Sequence, residues 1–190
     1  MTARRFIREV SLGAGACLAL VCTYAVPTRW NQGPGGRWWE WLRRAVSPVV
    51  SRLDHHAGPR PITECEYAGS LDRSVRETET LLWELGFLRN PFARVKTRAD
   101  GIERGSWVYR EGPLDTRQLH LMLFEGESGR TDIYAHEELS NVHPLCAAAH
   151  FEGGGQSVGA GVRRTREWLP LDTGAGIPDP PDGSWETMPR

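Results

Sequence analysis

The chain has 190 residues, enough for one modest domain with extensions. Its formal net charge is −1, and arginine runs through every segment with Lys96 as the only lysine, so no charged field points to nucleic acid or another polyion. The four cysteines, Cys17, Cys22, Cys65 and Cys146, form no CxxC pair and give no support to a zinc knuckle or a thioredoxin-type redox motif.

Residues 1–28 predict a membrane anchor. Arg4, Arg5 and Arg8 precede an uncharged run over residues 10–28, and a helix needs about 20 such residues to cross the hydrocarbon. A cleaved signal peptide, cut after Thr23-Tyr24-Ala25, is the alternative. The anchor implies a single-pass membrane protein. Arginines flank the run on both sides (Arg29, Arg37, Arg43 and Arg44 follow it), so the positive-inside rule does not choose the side of the soluble part.

Residues 29–61 predict a collar and linker. Gly33, Pro34, Gly35 and Gly36 break the chain, and residues 37–53 predict a short amphipathic helix, kinked at Pro48. Of the eight tryptophans, Trp30, Trp38, Trp39 and Trp41 crowd this stretch. One reading is an interfacial collar, with indole rings at the headgroup level and arginines on lipid phosphates. The other is a hydrophobic brace packed on the domain. "DHHAGPRP" at 54–61 reads as a Pro/Gly linker with solvated His55 and His56.

Residues 62–169 predict the folded domain. "ITECEYAG" (62–69) reads as a strand. "SLDRSVRETETLLWELGF" (70–87) is the best helix, with Leu71, Val75, Thr78, Leu82 and Leu85 as its stripe, Ser70 or Asp72 as cap and Gly86 just past its end. "FARVKTR" (92–98) and "GSWVYRE" (105–111) read as strands joined through Ala99-Asp100-Gly101. "RQLHLMLFE" (117–125) and "TDIYAHEE" (131–138) are further strands, and "SVGAGVRRTREWLPL" (157–171) is a second helix ended by Pro170. Residues 170–190, rich in Gly, Pro and Asp, predict a disordered tail. The order strand, helix, four strands, helix predicts an α+β two-layer sandwich. It has a mainly antiparallel sheet of about five strands with two helices on one face, and an opposite face that is partly exposed or grooved.

The last hairpin can be registered from residue chemistry. If Glu127, Ser128 and Gly129 form a three-residue loop with Gly129 left-handed, Phe124 faces Asp132, Met122 faces Tyr134, His120 faces His136 and Gln118 faces Glu138. Leu119, Leu121 and Leu123 then share the other face with Ile133 and Ala135, and that face must meet the helices. Cross-strand histidines at such a pair can share a divalent metal with Glu138 as third ligand, and His143 or His150 from the following loop can complete the shell. The competing reading is a half-exposed sheet face that merely carries imidazoles. No HExxH or similar helix-borne spacing occurs.

"GQSVG" (155–159) matches the nucleophile-elbow pattern, but glycines rather than a strand precede Ser157 and no histidine follows it. An N-cap is the better role for Ser157. The same glycines could cradle an anion at the helix start, but no Walker lysine and no βαβ unit accompany them. Cys65 and Cys146 can pair only in an oxidising compartment.

The stretch "GSWVYRE…RQLHLMLFEGESGRTDIYAHEE…HP" (105–144) resembles a small family of uncharacterised proteins from halophilic archaea. The shared features are the "RQLH" strand, the "DIYAHEE" strand, the His143-Pro144 step and a final helix after a glycine-rich loop. The resemblance covers about the folded domain and implies no catalytic role.

The first functional expectation is a membrane-anchored, non-catalytic module that binds a protein or ligand partner on its open sheet face, with lipid as a second partner through anchor and collar, and no nucleic acid. The alternative is a metal-binding domain or metal-dependent enzyme using His120, His136 and Glu138.

Overall fold

The computed structural model describes residues 32–53, 58–91, 93–112 and 114–174. The expected anchor at 1–28, with Cys17 and Cys22, lies outside the described residues, as do His55, His56 and residues 175–190 of the expected tail. Among the described residues no helix is long and apolar enough to cross a membrane.

The fold is α+β. In chain order it comprises helix α1 (Arg37–Leu53), strands β1 (Arg60–Pro61) and β2 (Tyr67–Leu71), helix α2 (Val75–Glu84), and strands β3 (Leu88–Arg89), β4 (Lys96–Arg98), β5 (Gly101–Ile102) and β6 (Gly105–Tyr109). The long strands β7 (Arg117–Glu125) and β8 (Thr131–Leu139) follow, then helices α3 (Ala147–Phe151) and α4 (Val158–Trp168). Five strands make one antiparallel sheet in the order β2-β8-β7-β6-β3. The short strands β1, β4 and β5 make a separate sheet, β1 parallel to β4 and β5 antiparallel to it.

Residues 62–69 are not one strand. Thr63 and Glu66 close a capping box on a single 3-10 turn, Glu64–Glu66, and the strand begins only at Tyr67. Helix α2 starts later than expected because Ser70 and Leu71 stay in β2. Its cap is Ser74, whose hydroxyl accepts from the Glu77 N–H at 3.4 Å while Glu77 accepts from the Ser74 N–H at 2.9 Å. Gly86 ends the helix at φ 88°, as expected.

The β7–β8 hairpin has the expected register throughout, including His120 opposite His136 and Gln118 opposite Glu138. Its loop closes with the Gly126 N–H donating to Arg130 O at 2.9 Å, and Gly129 takes φ 77°. Ser128 is also left-handed, at φ 56°, which the sequence did not suggest.

One sheet face builds the main core. Leu119, Leu121, Leu123, Ile133, Ala135 and Trp107 pack against Leu82 of α2, Val162 of α4, Phe87 and Leu169. Each large side chain taken from water there contributes about 1.5–3 kcal/mol. Helix α4 can seat this closely because position 161 is glycine: a Cβ there would lie 2.2 Å from His136 Cα.

The opposite face is covered, and this corrects the expectation of an open or grooved surface. Strand β4 lies across it, with Arg98 stacked 5.1 Å over the Phe124 ring and bonded to Asp132 at 2.6 Å. Met122, Phe124 and Tyr134 form a second small core with Ile62 and Tyr67. The body also continues past Leu169, since Asp172 exchanges backbone hydrogen bonds with Ser70 at 2.8 and 2.9 Å.

Helix α1 is part of this body. It buries Glu40, Arg43 and Ser47. Arg43 donates to Glu40, to Glu103 and to the Ala93 and Arg94 carbonyls. Arg89 donates to Glu40 at 3.0 Å and to Glu79 at 2.9 Å, and its guanidinium lies 4.6 Å over the Trp107 ring. Ions buried like this stabilise only when paired and hydrogen-bonded, since each costs several kcal/mol to desolvate. The helix packs on the domain, as the brace reading expects, but its buried side chains are the polar Glu40, Arg43 and Ser47, with Trp39 and Leu42 only half-buried.

Candidate metal centre

Side chains alternate along a strand, so His120 and His136, directly opposite one another, share the β4-covered face with Glu138. Exposure is 3% for His120, 1% for His136 and 8% for Glu138, so these are buried groups rather than the half-exposed imidazoles of the competing reading.

The three groups converge. His120 Nδ1 lies 3.2 Å from His136 Nε2. The Glu138 carboxylate offers one oxygen to each ring, at 3.2 Å from His120 Nδ1 and 3.2 Å from His136 Nε2. The imidazoles meet edge to face, with planes at 89°.

Each outward nitrogen is anchored. His136 Nδ1 lies 2.8 Å from Glu66 Oε1, and the other Glu66 oxygen accepts from the Thr63 N–H at 2.9 Å and the Thr63 hydroxyl at 2.7 Å. Burial works to raise the Glu66 pKa, but His136, Lys96 and Thr63 overturn that and hold it down at about 2. An ionised carboxylate only accepts, so His136 donates from Nδ1 and turns the Nε2 electron pair inward. His120 Nε2 sits 2.7 Å from Ser106 Oγ. Gln118 donates to Glu138 Oε1 at 2.6 Å, and its own carbonyl is held by Arg110.

The electrostatics favour positive charge between the rings. Burial pushes His120 down to about 4 despite the Glu138 charge, so it is neutral at pH 7. Burial also opposes charge on His136, yet hydrogen bonds to Glu138 and Glu66 raise its pKa overall. Glu138 is held well below the carboxylate range because His150, His120 and His136 outweigh its burial. A proton or a metal cation satisfies the same inward-facing electron pairs.

A cavity of about 60 Å³ lies against the three donors, with Lys96, His150 and Arg60 also on its wall. Holding one water takes about 10–15 Å³ of such space, so solvent or a small ligand fits beside the donors.

Of the residues expected to complete the shell, His150 lies beside Glu138 but is not one of the three converging donors, and His143 turns away. His150 Nδ1 lies 3.5 Å from Glu138 Oε2 and 2.8 Å from Leu139 O, whereas His143 turns its Nδ1 to the Leu145 N–H at 3.3 Å. Sequence reasoning missed Glu66, Ser106 and Lys96. A signal for Glu66 was present, the Thr-x-x-Glu capping pattern at 63–66, but reading 62–69 as one strand hid it.

Ser157 is a helix cap, as expected. Its hydroxyl accepts from the Ala160 N–H at 3.4 Å, and its backbone bridges to Glu137 of β8. Two of the neighbouring glycine N–H groups are already used: Gly153 and Gly154 close α3, on His150 O at 2.9 Å and Ala149 O at 2.8 Å. Cys65 and Cys146 are both free thiols.

Comparisons with protein-family models, with curated proteins and with solved structures return no match, so the functional reading of this centre rests on its geometry.

Proposed function

We propose that this chain binds a divalent metal ion, zinc by preference, through His120, His136 and Glu138, with the remaining coordination position facing the cavity. The observation that carries the reading is the 3.2 Å separation of His120 Nδ1 and His136 Nε2, with a Glu138 carboxylate oxygen 3.2 Å from each of them, a different oxygen in each case. Zinc takes imidazole and carboxylate ligands at about 2.0–2.1 Å, and two ligands on a tetrahedron of that radius stand about 3.3–3.4 Å apart. The surroundings support it: Glu66 fixes the tautomer and direction of His136, and Ser106 fixes His120.

Three protein ligands plus an open position is the pattern of reactive rather than closed structural zinc sites. A metal there supplies Lewis acidity and a bound water that ionises near pH 7. The chain itself supplies positive charge on the cavity wall, from Arg60 and Lys96, which favours an anionic ligand in the open position.

The test is metal titration of the full chain after chelator stripping. One equivalent of Zn²⁺ is expected, and Co²⁺ should give the intense visible absorption of four-coordination. At a free concentration of 100 times Kd, zinc should stabilise the fold by about 2.7 kcal/mol. His136→Gln, close in volume, should remove the binding. Substoichiometric uptake, or binding indifferent to His136→Gln, leaves the cluster as a proton-holding network and overturns the reading.

A further inference from the structure

Helix α1 sits on the domain the wrong way round for an ordinary amphipathic helix. Its charged and hydroxyl groups Glu40, Arg43 and Ser47 face inward, while Trp38 is 48% exposed, Trp41 is 68% exposed and Val46 is also exposed. At 100° per residue, positions 38, 41 and 45 share one face, opposite 40, 43 and 47. A helix that spends its polar face on buried ion pairs has only its apolar face left for the outside. Two large indoles stand on this outer face, Trp38 stacked on Trp39 at 4.0 Å and Trp41 turned to the outside.

We infer that this outer face of α1 lies in the headgroup–acyl boundary of a lipid bilayer. Three observations select lipid. The uncharged run over residues 10–28 ends only a few residues before the first described position, Gln32, so α1 starts where the chain would leave a membrane. The face carries tryptophan, the side chain that prefers the interface, with its apolar ring below and its N–H towards water. Arg37 and Arg44 flank it; Arg37 is exposed and reaches Glu79 only at 3.6 Å, and the Arg44 Nε is tied to the Glu40 carbonyl at 2.9 Å. Their positive charge suits lipid phosphates. The inference stands independently of metal binding, since no donor of the metal centre lies on this face.

The test uses the full chain in vesicles of phosphatidylcholine and phosphatidylglycerol and compares it with the Trp38→Phe/Trp41→Phe double variant. The variant keeps an apolar face and deletes only those two emitters, so subtracting the two signals isolates them. Bromines placed high on the acyl chains should quench the subtracted emission at least about twofold more than bromines placed deep, and aqueous acrylamide should quench it little. Emission quenched by acrylamide and not by bromines puts the face in water. Emission shielded from both puts it under protein, either residues 10–28 of the same chain or a second copy. Either result overturns the inference. The melting temperature of the variant should match that of the parent, because both side chains are exposed.

Discussion

Gly161→Ala sets two effects of opposite sign against each other. Alanine is a better helix former than glycine, by about 0.8–1 kcal/mol in a helix interior, so a loosely seated α4 would gain stability. In the structure the added Cβ would meet His136 Cα at 2.2 Å, His136 C at 2.3 Å and Glu137 N at 2.5 Å. Ordinary contact begins at 3.4 Å, so α4 and β8 must separate by about 1.2 Å. The obstructing atoms are backbone and cannot swing aside. Overpacking costs about 1–3 kcal/mol, and a clash with backbone atoms that cannot move belongs at or above the upper end, which outweighs the propensity gain. The expected result is a net loss of about 2 kcal/mol or more in urea denaturation, with a fall in melting temperature on the order of 5–10 °C. The strand pushed away is the one that carries His136, so zinc affinity should fall in the same variant. Unchanged or increased stability would show that α4 does not rest on the His136 backbone, and would remove the packing argument for the centre.

Glu66→Gln keeps the shape of the group that holds His136 Nδ1 and removes its charge; competition titration should show zinc affinity reduced about 10–100-fold, and unchanged affinity would mean Glu66 does not orient the ring. Burial, reinforced by the Glu40 charge and only partly offset by Arg43, pushes Glu103 from the usual 4.5 up to about 7. The folded chain therefore holds more protons than the unfolded one between those values, and this group's contribution to stability falls as pH rises through the window. Glu103→Gln should remove that slope, read as urea midpoints of variant minus parent at pH 4.5 and pH 7; parallel profiles would contradict the assignment.

The centre's geometry was legible in the chain because one hairpin carries it. A glycine suited to a left-handed turn position and a strict alternation of leucines fixed which residues face which, and His120, His136 and Glu138 followed. What lies over them was not legible. The cover comes from Lys96–Arg98, three residues paired with Arg60–Pro61. A strand over 92–98 was legible, and Lys96–Arg98 forms one, but nothing local shows that it leaves the main sheet to pair with Pro61, which reads as linker. For α1, periodicity located both faces of the helix but not which one turns inward. That depends on Arg89, Glu79 and Glu103, whose charges would ordinarily be assigned to solvent. Ion pairs made across 10 to 60 positions leave no local pattern.

Ser106 links parts of the molecule that are remote in sequence. Its N–H donates to Glu40 of α1 at 3.1 Å, and its hydroxyl meets His120 Nε2 at 2.7 Å. One residue of β6 therefore joins the helix proposed to face lipid to the imidazole proposed to face a metal. Thermodynamic reciprocity makes such a joint work in both directions: if loading the ion favours seating of the helix on lipid, seating the helix must favour loading by the same factor. Slower amide exchange at Ser106 and along α1 on adding zinc is the expected signature, and exchange there that is blind to zinc would show the joint to be slack.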